Sequence, residues 1–386
     1  MRSNFLPFHV PCVGDEEVAE VVKVLRSGWL TTGPQVRAFE EAFARYIDVP
    51  HAVALNSCTA ALHLALDSIG LAEGDEVLVP TMTFAATAEV VHYFKAHPVL
   101  VDCEPDTLNI DPLGVEKAIT PRTRAIIAVH YAGHPCDLAR ILEISRLHQV
   151  KLIEDAAHAL PASFNGRRVG NFGDLACFSF YATKTLCTGE GGMATTANSE
   201  YADNVRIMSL HGISKDAWRR YTAEGSWYYE ISKPGFKYNM TDIAAAMGLV
   251  QLAKCDRMWK ARKRIAELYC AGLRDIEDIV LPVERAEVEH SWHLYPIRLR
   301  LESLRVTRGQ FIEMMRERNI GTSVHFIPLH LHPFYREQYR YSRQDFPNAL
   351  SAYESLVSLP IYPSMSEGDV FDVIEVVRDL ITSSRR

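Results

Sequence analysis

Residues 52–80, AVALNSCTAALHLALDSIGLAEGDEVLVP, decide how the chain is read. Ala52–Ser57 reads as a strand. Thr59–Leu71 follows with apolar residues at helical spacing, Leu62, Leu66 and Ile69. Glu76–Pro80 is a second strand, and Thr83–Ala96 is helical again. The alternation continues outward. Pro98–Cys103, Ala125–Val129 and Val150–Glu154 read as strands separated by helices, and Leu175–Phe180 and Gly192–Thr196 complete the series. The runs are apolar throughout, as strands covered on both faces require. This repeating order predicts an α/β fold with a mostly parallel central sheet and helices on both faces. In such sheets ligands sit at the carboxyl ends of the strands.

Beyond Thr241 the pattern changes. Thr241–Ala271 reads as one long helix or two abutting ones. Trp292–Leu299 is the clearest later strand, with helical patterns at Arg308–Arg318 and Asp369–Ile381. The chain has 386 residues, more than one core usually organises, so two domains are expected. We read an N-terminal arm over 1–33, a large domain over 34–255 and a smaller C-terminal α/β domain over 256–386. Tyr201–Tyr238 carries Trp218, Trp227, Tyr228 and Tyr229 in a polar setting. A surface loop and a substrate or subunit contact both fit it.

Composition narrows the function classes. Apolar residues make up 48% and charged residues 23%, the balance of a soluble globular protein. The net charge is −7, and no Lys/Arg-rich block precedes Arg385-Arg386, which argues against a nucleic-acid partner. A phosphorylated small molecule still fits, because a few donors in a cleft can bind it. The eight cysteines include no CxxC pair and read as reduced thiols of a cytoplasmic protein. MRSNFLPFHVP has no apolar signal core. Ala52–Leu71 is interrupted by Asn56, His63 and Asp67 and is too polar to span a membrane.

Three segments end strands and carry different polar groups. In NSCTAALHLAL a helix begins at about Cys58–Ala60. Its free N–H groups and positive dipole end suit a phosphate, helped by the hydroxyls of Ser57 and Thr59, although Ser and Thr are also ordinary N-caps. In KLIEDAAHAL, Glu154 and Asp155 end a buried strand and point to opposite sides, so only one can face a given cleft. On this segment alone, a capping Asp at a strand–helix junction is the better reading. In FSFYATKTLCTGEGGM, Lys184 follows an apolar strand, and burial there lowers an amine's pKa. The alternative is a snorkelling surface lysine. Gly189, Gly191 and Gly192 favour the buried reading, because glycine lets backbone approach a ligand.

A phosphate cradle, a carboxylate and a lysine at one sheet edge are what pyridoxal phosphate needs. The lysine forms a Schiff base with its aldehyde. The carboxylate keeps the pyridine nitrogen protonated, which makes the ring an electron sink.

With these segments in view, the chain resembles the sugar aminotransferases of the DegT/StrS type nearly end to end. The resemblance runs through SGWLTTGP, PTMTFAAT, IEDAAHA, SFYATKTLCTGEGG and GTSVHFIPLH. Within that family it is most similar to enzymes that make UDP-4-amino-4-deoxy-L-arabinose and related 4-amino sugars. The resemblance implies a type I pyridoxal-phosphate aminotransferase fold and a homodimer with shared active sites. It implies that Lys184 is the Schiff-base lysine and moves the proton, and that Asp155 is the ring-nitrogen partner. His158 stands where many relatives have Gln, near the cofactor's 3-hydroxyl, and Phe84 matches the aromatic residue stacked on the ring. Thr59, Ala60 and Ser179 match phosphate contacts. Relatives add a phosphate contact from the neighbouring subunit, and in GFKYNM either Lys237 or Asn239 stands for it.

For substrate, the resemblance points to Trp29, Thr31 and Gly33 in the arm, Tyr181, and a loop carrying His325 and Phe326. His325, His330 and His332 invite a metal reading, but no carboxylate or cysteine completes a coordination set, so no metal is expected. The implied reaction moves the amine of L-glutamate, leaving 2-oxoglutarate, to a nucleotide-linked 4-keto sugar, with UDP favoured. Alternatives within the family are 3-keto sugar and cyclitol aminotransferases. The family's 3-dehydratases carry His in place of the lysine, so Lys184 argues against them. A non-catalytic pyridoxal-phosphate-binding regulator would show a damaged site, and an enzyme for amino acids alone would carry an Arg that no motif places here.

Overall fold

Seven strands form the central sheet of the computed structural model, which describes residues 2–213 and 229–386. They are β1 (His51–Leu55), β2 (Glu76–Pro80), β3 (His97–Val101), β4 (Thr123–Val129) and β5 (Lys151–Asp155), then, beyond a small hairpin of β6 (Ser163–Phe164) and β7 (Arg167–Arg168), β8 (Leu175–Ser179) and β9 (Gly192–Thr196). Their spatial order is β1-β9-β8-β5-β4-β2-β3. The pairs β2–β3, β2–β4, β4–β5 and β5–β8 are parallel, whereas β9 runs antiparallel to both its neighbours. β9 is therefore the one reversed strand of this sheet. Trp218, Trp227 and Tyr228 lie outside the described residues, and Tyr229 is exposed.

Alternation along the strands separates two cores. Helices α1 (Asp15–Ser27) and α2 (Pro34–Ile47) precede the sheet in the chain. Val77 and Val79 of β2, Ala125 and Ile127 of β4 and Ile153 of β5 pack on one face with helices α3 (Cys58–Ser68) and α4 (Ala86–His92). Leu78, Ile126, Ala128 and Leu152 pack on the other with α5 (Pro112–Ala118) and α6 (Leu138–His148). Toward β1, that second face is covered by Phe39 and Phe43 of a helix over residues 34–47. Both sheet faces are thus dry, which is why the strands read as unbroken apolar runs.

The same alternation sends the two acids of β5 apart. Glu154 is fully buried on the α5/α6 side. It accepts hydrogen bonds from the amides of Gly170 (3.0 Å), Phe172 (2.9 Å) and Gly173 (2.9 Å). His130 Nδ1 accepts from the Cys136 amide, so its proton sits on Nε2 and is donated to Glu154 at 3.3 Å. Burial opposes the charge, but His130 and the amides prevail and hold Glu154 below the usual carboxylate range. Glu154 is a staple of the fold. Glu154→Ala should destabilise the apoprotein by about 3–5 kcal/mol in urea unfolding, because it strands buried donors. A depressed carboxylate stabilises above its unfolded pKa, so the difference from wild type should shrink as pH falls below about 4.

One continuous 32-residue helix over Asp242–Leu273 replaces the sequence-level choice between one helix and two. Thr241 caps it, accepting from the Ala244 amide at 3.3 Å. A Cβ on Gly248 would sit 2.8 Å from the Phe39 ring, so only glycine allows the helix to pack this close. Its first half meets the core around Phe39, and Ile265, Tyr269 and Leu273 enter a separate core with residues 276–381. There Ile279–Val280, Tyr295–Leu299 and Leu356–Leu359 form a three-stranded antiparallel sheet. The strand expected from Trp292 begins at Tyr295 instead. Trp292 adopts φ +54°, and the amides of Ser291 and Leu294 bond the carbonyls of Gly133 and Ala132 rather than a strand.

The start of the chain joins this second core. Leu6 is buried in it, donating to the Asn319 carbonyl and accepting from the Gly321 amide, both at 2.8 Å. No helix among the described residues is long and apolar enough to cross a membrane. All eight cysteines are free thiols.

Candidate active site

Because β1, β2, β4, β5 and β8 run the same way, the segments that follow them meet at one sheet edge. Those segments begin at Asn56, Thr81, His130, Ala156 and Phe180. Asp155, the last residue of β5, turns to the α3/α4 side and is buried. Its Oδ2 accepts from Thr87 Oγ1 at 2.8 Å and its Oδ1 from the Ala157 amide at 3.2 Å. Burial raises its pKa, against the pull of Thr87, Ala157 and Lys184. Lys184 is half-buried just beyond β8, its amide bonded to the Tyr181 carbonyl at 2.9 Å. Burial lowers its ammonium to about 8, although Cys58 and Asp155 favour the charge. The two groups sense each other, and each is shifted toward its neutral form. A cationic ring placed between them would restore the acid's charge, and the amine is already a usable nucleophile.

Aromatic rings and imidazoles surround this pair. Phe84 is 63% exposed, with its ring 6.1 Å from Phe326. Phe326 stacks on His158 at 5.7 Å and 20°, and His158 lies 4.4 Å from His293. Thus Phe84, His158, His325 and Phe326, picked from distant stretches, come together. His293 and His9 were not anticipated; they sit in WHLYPIRL and in the N-terminal arm, where no pattern marks them. Burial lowers all four histidines, His9 and His325 to about 4 and His158 and His293 well below the usual imidazole value, and the Lys184 charge adds to each shift. The wall around Lys184 is therefore neutral near pH 7. Among the described residues, His158 Nδ1 and His293 Nδ1 are buried without a hydrogen-bond partner. The remaining histidines of the loop are used separately: His325 Nδ1 meets Ser358 Oγ at 3.0 Å, His330 Nδ1 meets Thr81 Oγ1 at 2.8 Å, and His332 meets the Ile327 carbonyl at 3.3 Å. Among the described residues no three His, Cys, Asp or Glu side chains are grouped as a metal ion needs.

At the start of α3, Ser57 is a true N-cap, its Oγ accepting from the Ala60 amide at 3.1 Å. The Ala60 N–H is therefore already engaged, and the helix-start donors left for an anion are the amides of Cys58 and Thr59. Of the glycines after Lys184, Gly191 and Gly192 pack closely on protein, whereas Gly189 turns with φ +81° in open space. A Cβ on Gly192 would lie 2.4 Å from the Ser57 carbonyl, and one on Gly191 would lie 2.3 Å from Thr188 Oγ1. This tight contact brings the strand returning from Lys184 against the start of α3. Ser179 ends β8 opposite Gly192, its Oγ facing the Tyr181 amide at 3.4 Å, and the Tyr181 side chain is exposed.

The remaining site residues form a neighbouring group. Lys237 Nζ hydrogen-bonds Asn239 Oδ1, and Asn239 Nδ2 donates to Thr32 Oγ1 at 2.7 Å. The Lys237 and Tyr238 carbonyls bond Asn56, next to the α3 cap of the same chain. Trp29 Nε1 donates to the Thr32 carbonyl, the Thr31 carbonyl accepts from the Asp242 amide, and Gly33 caps the following helix. Trp29, Thr31 and Gly33 thus pack with residues 239–242 at the β1 end of the sheet.

Donors at a helix start, a buried acid awaiting a cation, an exposed aromatic face and a near-neutral amine fit one cofactor, and the molecule is a pyridoxal-phosphate-dependent aminotransferase of the type I fold. The chain belongs to the DegT/DnrJ/EryC1/StrS aminotransferase family, which it matches over residues 11–378. It is 49% identical over 381 residues to the spore coat polysaccharide biosynthesis protein SpsC of Bacillus subtilis, covering 98% of each chain. Among solved structures it is similar to Spr1654 of Streptococcus pneumoniae in its PMP form, with 35% identity, a TM-score of 0.92 and coverage of 98% of this chain and 99% of that one. The Helicobacter pylori aminotransferase PseC, involved in the biosynthesis of pseudoaminic acid, is 27% identical with a TM-score of 0.91, over 99% of this chain and 100% of that one.

Proposed function

We propose that this enzyme transfers the amino group of L-glutamate to the C4 carbonyl of a UDP-linked keto sugar, yielding 2-oxoglutarate and a 4-amino sugar nucleotide. The observation that carries the reading is Lys184, an amine lowered to about 8, set against the buried carboxylate of Asp155. The sugar follows from the relatives. SpsC serves a polysaccharide, PseC serves pseudoaminic acid, and Spr1654 is named as a sugar aminotransferase. The 4-keto position and the UDP carrier rest on the motif resemblance. Neutral imidazoles with free nitrogens suit hydroxyl groups, since they offer hydrogen bonds without a fixed charge.

When bound, pyridoxal phosphate supplies the electron-accepting ring that carries the amino group from one substrate to the other. Lys184 Nζ anchors it and moves the proton at the reacting carbon. Asp155 holds the ring nitrogen protonated. Phe84 would cover one ring face, and His158 would serve the ring's hydroxyl. Thr59, Ala60 and Ser179, with the Cys58 amide at the same helix start, would hold the phosphate. Tyr181, His325, Phe326, Trp29, Thr31 and Gly33 border the sugar nucleotide. The chain acts in the cytoplasm as a homodimer in which Lys237 or Asn239 of one subunit completes the other's phosphate site. Its arm, large domain and small domain divide near residues 33 and 255.

The test is a panel of UDP-, GDP- and dTDP-linked 4-keto sugars, with a 3-keto sugar nucleotide and a keto cyclitol beside them, each offered with glutamate. Formation of 2-oxoglutarate and of the amino sugar is followed by mass spectrometry. Turnover should be highest with a UDP-4-keto sugar. Preference for a 3-keto sugar or a cyclitol would sink the C4 assignment.

A further inference from the structure

PTMTFAAT contributes Phe84 to the site, and Thr83 and Thr87 flank that residue. Thr83 lies in the bend before α4 and Thr87 in its first turn, four residues on, and both are buried. Their hydroxyls meet at 2.8 Å, and Thr87 Oγ1 lies 2.8 Å from Asp155 Oδ2. We propose that Thr87, with Thr83 behind it, is a positioning residue that aims the Asp155 carboxylate into the cleft and commits it to accepting hydrogen bonds.

The direction of this chain follows from valence. An ionised carboxylate only accepts, so the single Thr87 proton must point at Asp155. The Thr87 oxygen is then free to accept, and Thr83 must donate to it. Two hydroxyls aligned this way polarise each other and strengthen the last bond. Asp155 is held from behind at both oxygens, by Thr87 and by the Ala157 amide. Each oxygen keeps a lone pair for a donor on the cleft side. The groups facing Asp155 from the other elements are Lys184, His130, Cys58 and Cys177. The two thiols are raised by burial and stay neutral, so none of these replaces the Thr87 bond. One short segment thus presents both the aromatic platform, Phe84, and the support of the ring-nitrogen acid. The inference rests on Asp155 being that acid.

Thr87→Val, nearly isosteric, removes the hydroxyl. A charge-assisted bond of this kind corresponds to about one to two pH units, so Asp155 in the apoprotein should titrate higher by that amount. A carboxylate raised on folding destabilises the fold as pH climbs through its folded pKa. The Tm gap between Thr87→Val and wild-type apoprotein should therefore open as pH rises above the wild-type Asp155 pKa, where only the variant is still losing its proton. In an Asp155→Asn background that pH dependence should vanish. The Kd for pyridoxal phosphate, read by tryptophan fluorescence, should weaken about tenfold, and Thr87→Ser should restore it to within about twofold. Should Thr87→Val not fold, Thr83→Val removes only the second hydroxyl and should weaken binding by about threefold. Wild-type affinity in the Val variants, or a pH-dependent gap that survives in Asp155→Asn, overturns the proposal. If the wild type held no pyridoxal phosphate, the role of Asp155 would fall, while the apoprotein titration would still report on Thr87.

Discussion

Lys184→Ala is expected to lower transamination at least about 10³-fold, the largest effect of any single substitution in this chain. An ordinary lysine near pKa 10.4 is less than about 1% neutral at pH 8. Lys184, brought to about 8 by burial, is half neutral there. The fold therefore raises the population of reactive amine about 100-fold before any substrate arrives. Uptake of pyridoxal phosphate by the apoprotein should accelerate with pH and level off above about 8, whereas an unperturbed lysine would keep accelerating toward about pH 10. Borohydride should fix the cofactor on the peptide containing Lys184, and Lys184→Ala should purify without the yellow colour. A label on any other lysine defeats the assignment.

Asp155→Ala should cost at least about 100-fold in transamination, because the ring nitrogen loses the acid that keeps it protonated. A stability measurement separates this role from a structural one. Burial raises the Asp155 pKa, so its charge at neutral pH opposes folding of the apoprotein. Asp155→Asn should match or exceed wild type in apoprotein Tm at pH 8 while losing activity. The neighbouring acid should behave in the opposite way, since Glu154 is held below the usual range by His130 and the amides. If Asp155→Asn lowered stability as Glu154→Ala does, or kept near-normal activity, the functional assignment would fail. Such opposition between stability and activity is expected where a site stores an unfavourable charge.

Several site residues were visible as types but not as partners. Glu154 and Asp155 were legible as a pair split across the sheet, because side-chain period two is a local property. Which of them faced the cleft depended on the alignment of β5 with its neighbours, and that depends on helices far away in sequence. Gly191 and Gly192 were legible as close-approach positions, but the surface approached proved to be Thr188 and the start of α3. Ala60 sat correctly at a helix start, yet Ser57 had already taken its amide. Thr87 lay in a quoted motif and stayed mute, since its partner is 68 residues away. His9 and His293 gave no local signal at all.

By itself the sequence determined the alternating strands and helices, the sheet edge at which chemistry gathers, and the family to which Lys184 and Asp155 belong. Those are properties of local periodicity and of short motifs, and they survive without knowing what packs on what. Only the tertiary structure decided that β9 runs backward, that Glu154 staples the fold while Asp155 meets Thr87, and that four neutral histidines ring the lysine. Such pairings join residues distant in the chain, and their energies come from burial, which no single stretch of sequence contains.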